Sequence, residues 1–245
     1  MLKDFSKERF DIIIQAGQSN AEGCGQGNVE FPYAENPDIF FLNNDFTISK
    51  AAERIWGNII VTDFSLSFAA KYKNELLADG RKLLIVRAAV GGTGFLDHHW
   101  GMTDDLYIRM MDMVKTALEL NSENRLAAFL WHQGETDAEN HASRDTHYKN
   151  LSTLLNSVRI EFGCPNLPFI AGDFVQHWKQ TQLPIAEPVI EAVKAVCADG
   201  NGRFVSSDGL TSNSHVTGSD DTIHFSREAL YEFGARYYAA YKDIT

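Results

Sequence analysis

The chain has 245 residues, of which 44% are hydrophobic and 22% charged, a composition typical of a folded protein and unlike a disordered or fibrous one. A formal net charge of -11 and a pI near 5.1 argue against nucleic acid or a membrane as partner, because anionic surfaces would be repelled. Three cysteines, Cys24, Cys164 and Cys197, have no CxxC spacing and predict neither a disulfide framework nor a zinc site.

The N-terminal segment does not have the uninterrupted apolar core of a signal peptide. The N-terminus alternates charged and apolar residues, and no later stretch approaches the roughly 20 apolar residues that span a bilayer. We therefore expect a cytoplasmic protein, unless a leader has been removed. A chain of this length can bury roughly 70% of its unfolded surface. Since no linker or repeat divides it, we expect one domain over residues 1–245.

Short apolar runs alternate with longer segments of helical spacing, which is typical of βα units around a parallel sheet. The predicted strands are Phe10–Gln15, Ile39–Leu42, Leu83–Ala88, Ala127–His132, Pro168–Ala171 and Phe204–Ser206. The predicted helices are Phe64–Leu77, Asp104–Leu120, Arg144–Phe162, Ala186–Ala198 and Arg227–Tyr241. Between them, the irregular segments 22–36, 43–62 and 173–184 are candidates for a substrate rim, because ligands bind beyond the carboxyl ends of such strands.

The first predicted strand runs directly into Gly17-Gln18-Ser19-Asn20. A serine at this position lies at the carboxyl end of the strand, where the next helical turn can point N–H groups at an oxyanion. Ser19 is therefore a candidate nucleophile, although a helix cap explains the segment equally well. The neighbourhood of Ser19 is not a GxSxG elbow, which argues against an α/β-hydrolase lipase.

Glycines follow the third predicted strand, in the segment Val90-Gly91-Gly92-Thr93-Gly94. Glycines allow close approach of the backbone and leave N–H groups unobstructed, as an oxyanion hole requires. A tight turn is the alternative. The following Asp97-His98-His99 could suggest a metal site, but adjacent histidines point in different directions, so we expect no metal. We place His99, Trp100 and Asn20 at the substrate rim instead.

Polar residues also crowd the end of the fourth predicted strand, in Trp131-His132-Gln133-Gly134-Glu135-Thr136-Asp137. Such groups are costly to bury unless they are hydrogen-bonded or used in chemistry. The Gln133 amide can donate to an oxyanion, and Glu135 can orient a neighbour. A helix-capping cluster before the next helix is the alternative.

The segment Asp220-Asp221-Thr222-Ile223-His224 precedes the last predicted helix. A carboxylate three residues before a histidine can hold its Nδ1 and leave Nε2 free to take a proton from a serine. His224 is therefore the candidate base, although a surface Asp–His pair is common. His215 is the competing base, but position 212 is a serine, so His215 has no acid at this spacing.

These four segments resemble the conserved blocks of the SGNH-hydrolase superfamily, and most closely those of its sialate O-acetylesterase and acetylxylan esterase group. The resemblance rests on GQSNAEG, GGTG, WHQGETDA and DTIHFS, and it covers the chain from about Ile12 to the last helix. It implies a three-layer α/β/α sandwich with a central, mostly parallel, five-stranded sheet of the flavodoxin-like kind.

The same resemblance implies the roles of the site residues. Ser19 is the nucleophile, His224 the base and Asp221 the acid, with Glu135 as an alternative acid or a supporting residue. The oxyanion hole is formed by the Ser19 and Gly92 amides and the Gln133 side chain, which stands where the wider superfamily usually has asparagine.

The expected activity is hydrolysis of O-acetyl esters of carbohydrates through an acetyl-enzyme, with a small-molecule or polysaccharide substrate and no cofactor. Two alternatives stay open at this stage. One is an esterase, lipase or thioesterase of the same fold that acts on other acyl esters. The other is a carbohydrate-binding protein without catalysis.

Overall fold

The computed structural model of the protein describes residues 4–28 and 33–245. Most of the strands in these residues form one central sheet. In chain order the described strands are β1 (Arg9–Gly17), β2 (Ile39–Leu42), β3 (Ile48–Lys50), β4 (Arg54–Trp56), β5 (Ile59–Val61), β6 (Arg81–Arg87), β7 (Arg125–His132), β8 (Phe169–Gly172) and β9 (Gly202–Val205). Seven of them form the sheet, in the order β3-β2-β6-β1-β7-β8-β9, while β4 and β5 pair only with each other.

Helices connect these strands and cover the sheet. They are α1 (Ser19–Glu22), α2 (Ser65–Glu75), α3 (Asp105–Glu119), α4 (Glu135–Glu139), α5 (Arg144–Glu161), α6 (Gln176–Thr181), α7 (Leu183–Asp199), α8 (Asn213–Thr217) and α9 (Arg227–Lys242). No helix of the described residues is long and apolar enough to cross a membrane.

The predicted α/β architecture is confirmed, and each of the six predicted strands and five predicted helices has its counterpart. The sheet differs from the expected one in size, with seven strands among the described residues instead of five. Six of them run parallel, and β3 pairs antiparallel with β2 at one edge. The segment 43–62, predicted to be irregular, contains the short strands β3, β4 and β5.

The side chains of the central strand, β1, alternate between the two faces of the sheet, which explains why helices cover both faces. Ile12 and Ile14 belong to a buried cluster with Met110 of α3 and Leu151 of α5. Ile13 belongs to a second cluster, which includes residues of α2 and α9. Successive side chains of a strand point to opposite faces, so a strand with three consecutive isoleucines requires a layer of helices on each side.

The arrangement brings several strand ends together. β1 pairs in parallel with β6 on one side and with β7 on the other, so that Gln15 is opposite Arg87 and Gly17 is opposite His132. The segments that follow these three strands therefore meet at the carboxyl edge of the sheet, which is where open α/β proteins bind ligands.

Candidate active site

Ser19 is positioned by the turn that ends β1. Gly17 has a φ of 128°, and a Cβ at this position would lie 2.0 Å from the backbone oxygen of His132. Only glycine fits this close approach, and the Gln18 N–H donates to that same oxygen at 2.9 Å. The chain then enters α1, with Ser19 as its first residue and half-buried. Its side chain therefore stands at the edge of the sheet.

His224 and Asp221 approach Ser19 from the loop before α9. His224 Nε2 lies 2.9 Å from Ser19 Oγ, and His224 Nδ1 lies 2.8 Å from Asp221 Oδ1. Asp221 Oδ1 also accepts the His224 N–H at 3.3 Å. The three side chains thus form one hydrogen-bonded chain. The competing histidine, His215, is exposed on α8, and the residue that contacts Ser19 Oγ is His224.

Asn213 fixes the other oxygen of the Asp221 carboxylate. Its Nδ2 donates to Asp221 Oδ2 at 2.9 Å and to Cys24 O at 3.0 Å, while its Oδ1 accepts the Gln26 N–H at 2.8 Å. Asn213 is fully buried. Sequence reasoning missed this residue, because its burial depends on contacts with a segment about 190 positions away.

Asn20 connects α1 to the loop that carries His224. Its Oδ1 accepts the Phe225 N–H at 3.0 Å, and its Nδ2 donates to Ile223 O and to Glu135 Oε1, both at 3.0 Å. The placement of Asn20 at the substrate rim is wrong, because the residue is completely buried. It holds the backbone on both sides of His224 instead.

Glu135 lies beneath this arrangement, with no exposed surface. Its Oε1 accepts from Asn20 and lies 3.8 Å from His132 Nδ1. The carboxylate that contacts the His224 ring is that of Asp221. The alternative of Glu135 as the acid partner of His224 therefore does not agree with the geometry, whereas a supporting position does.

The glycine loop packs directly against the serine. A Cβ on Gly91 would lie 3.3 Å from Ser19 Cβ, and the Gly91 N–H donates to Glu22 Oε2 at 2.8 Å. Among the described residues, neither the Ser19 N–H nor the Gly92 N–H has a hydrogen-bond acceptor. Unpaired N–H groups beside a nucleophile are what an oxyanion hole requires.

Gln133 is not directed at an oxyanion in this structure. Its Nε2 donates to Asp137 Oδ2 at 2.8 Å and to Thr93 O at 3.3 Å, which uses both N–H donors of the amide. The residue is also almost fully buried. The predicted oxyanion contact of Gln133 is therefore corrected: the side chain links the glycine loop to Asp137.

Asp137 is the anchor of that loop. It accepts the N–H groups of Phe95 and Leu96, and His147 Nδ1 lies 3.4 Å from its Oδ2. Burial raises the pKa of Asp137, but the nearby His147 ring and the two backbone donors outweigh it and bring the pKa below its usual value. A carboxylate that stays ionised keeps the loop fixed at neutral pH.

Two further rim predictions need correction. Trp100 is completely buried, where its indole N–H donates to Thr93 Oγ1 at 3.1 Å, so it supports the glycine loop from below. His99 is partly exposed, but its Nδ1 pairs with Asp105 Oδ1 at 2.9 Å, a hydrogen bond that raises the pKa of the ring. His99 is not among the described residues that line the Ser19 cleft.

A cleft of about 430 Å³ opens above the serine. Ser19 and His224 line it, and the β4–β5 hairpin contributes Ile55 and Trp56. Its described lining comprises Ser19, Glu22, Cys24, Arg54, Ile55, Trp56, Gly91 and His224. Burial keeps the pKa of the Cys24 thiol well above its usual value, so Cys24 is a neutral wall residue. The cleft can thus hold an ester next to the Ser19 hydroxyl.

Comparison with known proteins finds one matching family and a relative from a plant. Residues 9–243 match the family described as carbohydrate esterase, sialic acid-specific acetylesterase. A probable carbohydrate esterase of Arabidopsis thaliana is 26% identical over 223 residues, which cover 81% of this chain and 82% of its own.

Solved structures share the fold. The crystal structure of NanS superposes with a TM-score of 0.80 at 19% identity, and the match covers 97% of this chain and 98% of the NanS chain. A carbohydrate acetylesterase from Xanthomonas citri gives a TM-score of 0.64 at 17% identity, over 96% of this chain and 56% of its own. These likenesses agree with the fold predicted from the sequence.

Proposed function

Since the chain belongs to the family of carbohydrate esterases described as sialic acid-specific acetylesterases, we propose that it removes acetyl groups from carbohydrate esters with Ser19 as nucleophile. The observation that carries the proposal is the chain of hydrogen bonds from Ser19 Oγ through His224 to Asp221, at the base of an open cleft. The family match makes the protein an esterase, and the triad is our assignment.

In the proposed reaction, His224 Nε2 takes the Ser19 proton while Oγ attacks the ester carbonyl. Asp221 holds the Nδ1–H tautomer and stabilises the imidazolium. The developing oxyanion accepts hydrogen bonds from the Ser19 and Gly92 amides, each worth about 3 to 4 kcal/mol in the transition state. His224 then protonates the leaving sugar oxygen, and an acetyl-Ser19 ester forms.

Deacetylation repeats these steps with water. His224 removes a proton from the water molecule, the hydroxyl adds to the acetyl carbonyl, and collapse returns the proton to Ser19 Oγ and releases acetate. Gln133 acts as a positioning residue in this scheme, because it links Thr93 in the glycine loop to Asp137. No step requires a cofactor.

The choice of acetyl and of carbohydrate rests on the relatives. The matching family is named for sialic acid-specific acetylesterases, and the Xanthomonas citri protein with a similar fold is described as a carbohydrate acetylesterase. An O-acetylated sialic acid is therefore the first substrate to test, followed by acetylated xylan and simple acetylated sugars.

Acetate release from this panel, compared with octanoyl esters of the same alcohols, tests the proposal. We expect release from at least one acetylated carbohydrate and much slower hydrolysis of the octanoyl esters. A strong preference for octanoyl esters would assign the site to longer acyl chains. Binding of acetylated sugars without acetate release would make the protein a binding module.

A further inference from the structure

The β4–β5 hairpin exposes most of its large apolar side chains to solvent. Four of its six strand residues are large, exposed hydrophobics, namely Ile55, Trp56, Ile59 and Ile60. Ile55 is 75% exposed and Trp56 is 60% exposed. Contiguous exposed apolar groups on a soluble surface indicate a binding site, because water disfavours them.

Part of this apolar surface lines the Ser19 cleft. Ile55 and Trp56 line the same cleft as Ser19 and His224, whereas Ile59 and Ile60 line a separate one. The register places Trp56 opposite Ile59 across the hairpin. An alcohol group that extends into this cleft from an acetyl ester held at Ser19 therefore has Trp56 in its wall.

The hairpin is fixed to the turn that carries the nucleophile. At its start, Arg54 donates to Glu22 Oε1 at 2.8 Å and to Gly23 O at 2.6 Å. At its end, Thr62 exchanges two backbone hydrogen bonds with Gly25, at 3.2 and 3.3 Å. Both ends are thus held by residues 22–25, which are the last residue of α1 and the three that follow it. A ligand on the hairpin would meet a wall that is already positioned relative to Ser19.

The chemistry of the Trp56 indole favours a sugar ring as the ligand of this surface. A pyranose ring has faces of C–H groups that pack on the electron-rich face of an aromatic ring, and hydroxyls at its edge that accept hydrogen bonds. Within the described part of the chain, the Trp56 indole N–H has no acceptor, so it is available to such a hydroxyl. Ile55 extends the apolar surface without adding a charge.

We propose that Trp56 is the sugar-stacking, specificity-determining residue of this esterase: it packs on a ring face of the carbohydrate whose acetyl group is at Ser19. The proposal rests on the proposed function, because it needs the substrate alcohol to be a sugar. The contact exists in both the ground state and the transition state, so its loss raises KM and leaves kcat nearly unchanged.

The test compares two esters, an O-acetylated sialic acid and ethyl acetate, whose alcohol group has no ring face to pack on Trp56. For Trp56→Ala we expect kcat/KM for the sugar ester to fall about tenfold, through KM, while ethyl acetate hydrolysis is unchanged. Trp56→Phe keeps an aromatic face and should recover most of the loss.

Two variants serve as controls. Ile160→Ala removes an exposed apolar side chain on α5, outside the cleft. Ile60→Ala removes an apolar side chain of the same hairpin that lines the separate cleft and is opposite Ile55 rather than Trp56. Both should keep the wild-type ratio of the two rates. Equal losses of Trp56→Ala with both esters, or the same selective loss in Ile60→Ala, would overturn the stacking role.

The wild-type protein separates the two proposals. If it hydrolyses the sugar ester and Trp56→Ala retains the wild-type ratio, the stacking role is overturned and the proposed function stands. If the wild type releases acetate from ethyl acetate and from none of the acetylated carbohydrates of the panel, the sugar substrate is rejected, and the stacking role with it.

Discussion

At the scale of single residues, the geometry of the site depends on side chains that never touch a substrate. Asn20 holds the backbone on both sides of His224, and Asn213 holds the second oxygen of Asp221. Both asparagines are fully buried, so each of their hydrogen bonds is expensive to lose. The distance between Ser19 and His224 therefore depends on the hydrogen bonds of these two asparagines as well as on Ser19 and His224 themselves.

The two carboxylates near the base should respond differently to amide substitution. In Asp221→Asn, one position of the new NH₂ faces His224 Nδ1–H and the other faces Asn213 Nδ2, so a donor meets a donor in either orientation. We expect kcat to fall by up to about 10⁴-fold. In Glu135→Gln the oxygen can still accept from Asn20, so the loss should be much smaller. Steady-state hydrolysis of an aryl acetate measures both, and equal or reversed losses would reassign the acid.

Asn20→Ala tests the positioning role. The substitution leaves Ile223 O, Phe225 N–H and Glu135 Oε1 without their partner, and we expect the free energy of unfolding to fall by roughly 1 to 3 kcal/mol. Displacement of His224 should lower kcat by about 10²-fold with little change in KM. A variant that is less stable but retains the wild-type kcat would restrict Asn20 to a structural role.

At the scale of elements, close packing of α9 on α2 is what places the His224 loop against the sheet. A Cβ on Gly234 of α9 would lie 1.9 Å from the backbone oxygen of Phe64. The sequence shows the amphipathic pattern of both helices, but this contact becomes visible only when they are packed. Strands β4 and β5 were missed for a similar reason, since three-residue strands give too short a pattern to detect.

Gly234→Ala should therefore destabilise the protein, against the preference of helices for alanine. Helix propensity alone would stabilise the variant by about 1 kcal/mol. Contact with the backbone of Phe64 cannot be relieved by a side-chain rotation, and we expect a net loss of roughly 1 to 3 kcal/mol. Urea unfolding monitored by circular dichroism measures the difference. Unchanged or increased stability would contradict the close approach of the two helices.

At the scale of the whole molecule, the end of the sheet opposite the site is tied together by one buried carboxylate. Asp11 accepts from Arg81 Nε at 2.6 Å, Arg125 Nε at 2.7 Å and the Tyr72 hydroxyl at 2.8 Å. These bonds connect β1 to its neighbours β6 and β7 and to α2. Burial raises the pKa of Asp11, but the hydrogen bonds from these three side chains outweigh it and leave the pKa below its usual value.

This lowered pKa predicts how stability depends on pH. The folded state binds the Asp11 proton more weakly than the unfolded state, so the contribution is complete above the unfolded pKa of about 3.9 and is lost as the pH falls below it. Asp11→Asn should be less stable at pH 7 by about 3 kcal/mol and show a shallower decline in acid. Urea unfolding of both proteins between pH 7 and about pH 3 measures this, and parallel profiles would contradict it.

The sequence predicts those parts of the site whose partners are local. Asp221 and His224 are three residues apart on one loop, and Ser19 follows a strand that is evident from its isoleucines. Burial of Asn20 and Trp100 could not be predicted, because it depends on packing between segments that are distant in the sequence. The direction of the Gln133 amide is likewise set by Asp137 and Thr93, which no pattern in the sequence brings together.

Activity of the Ser19→Ala variant on an aryl acetate tests the central claim most directly. Removing Oγ removes the atom that attacks the carbonyl, while the hydrogen bonds that hold Asn20 and the His224 loop do not involve it. We predict a loss of kcat of at least about 10⁴-fold with an unchanged circular dichroism spectrum. Turnover near the wild-type rate in a folded Ser19→Ala protein would contradict the assignment of Ser19 as nucleophile.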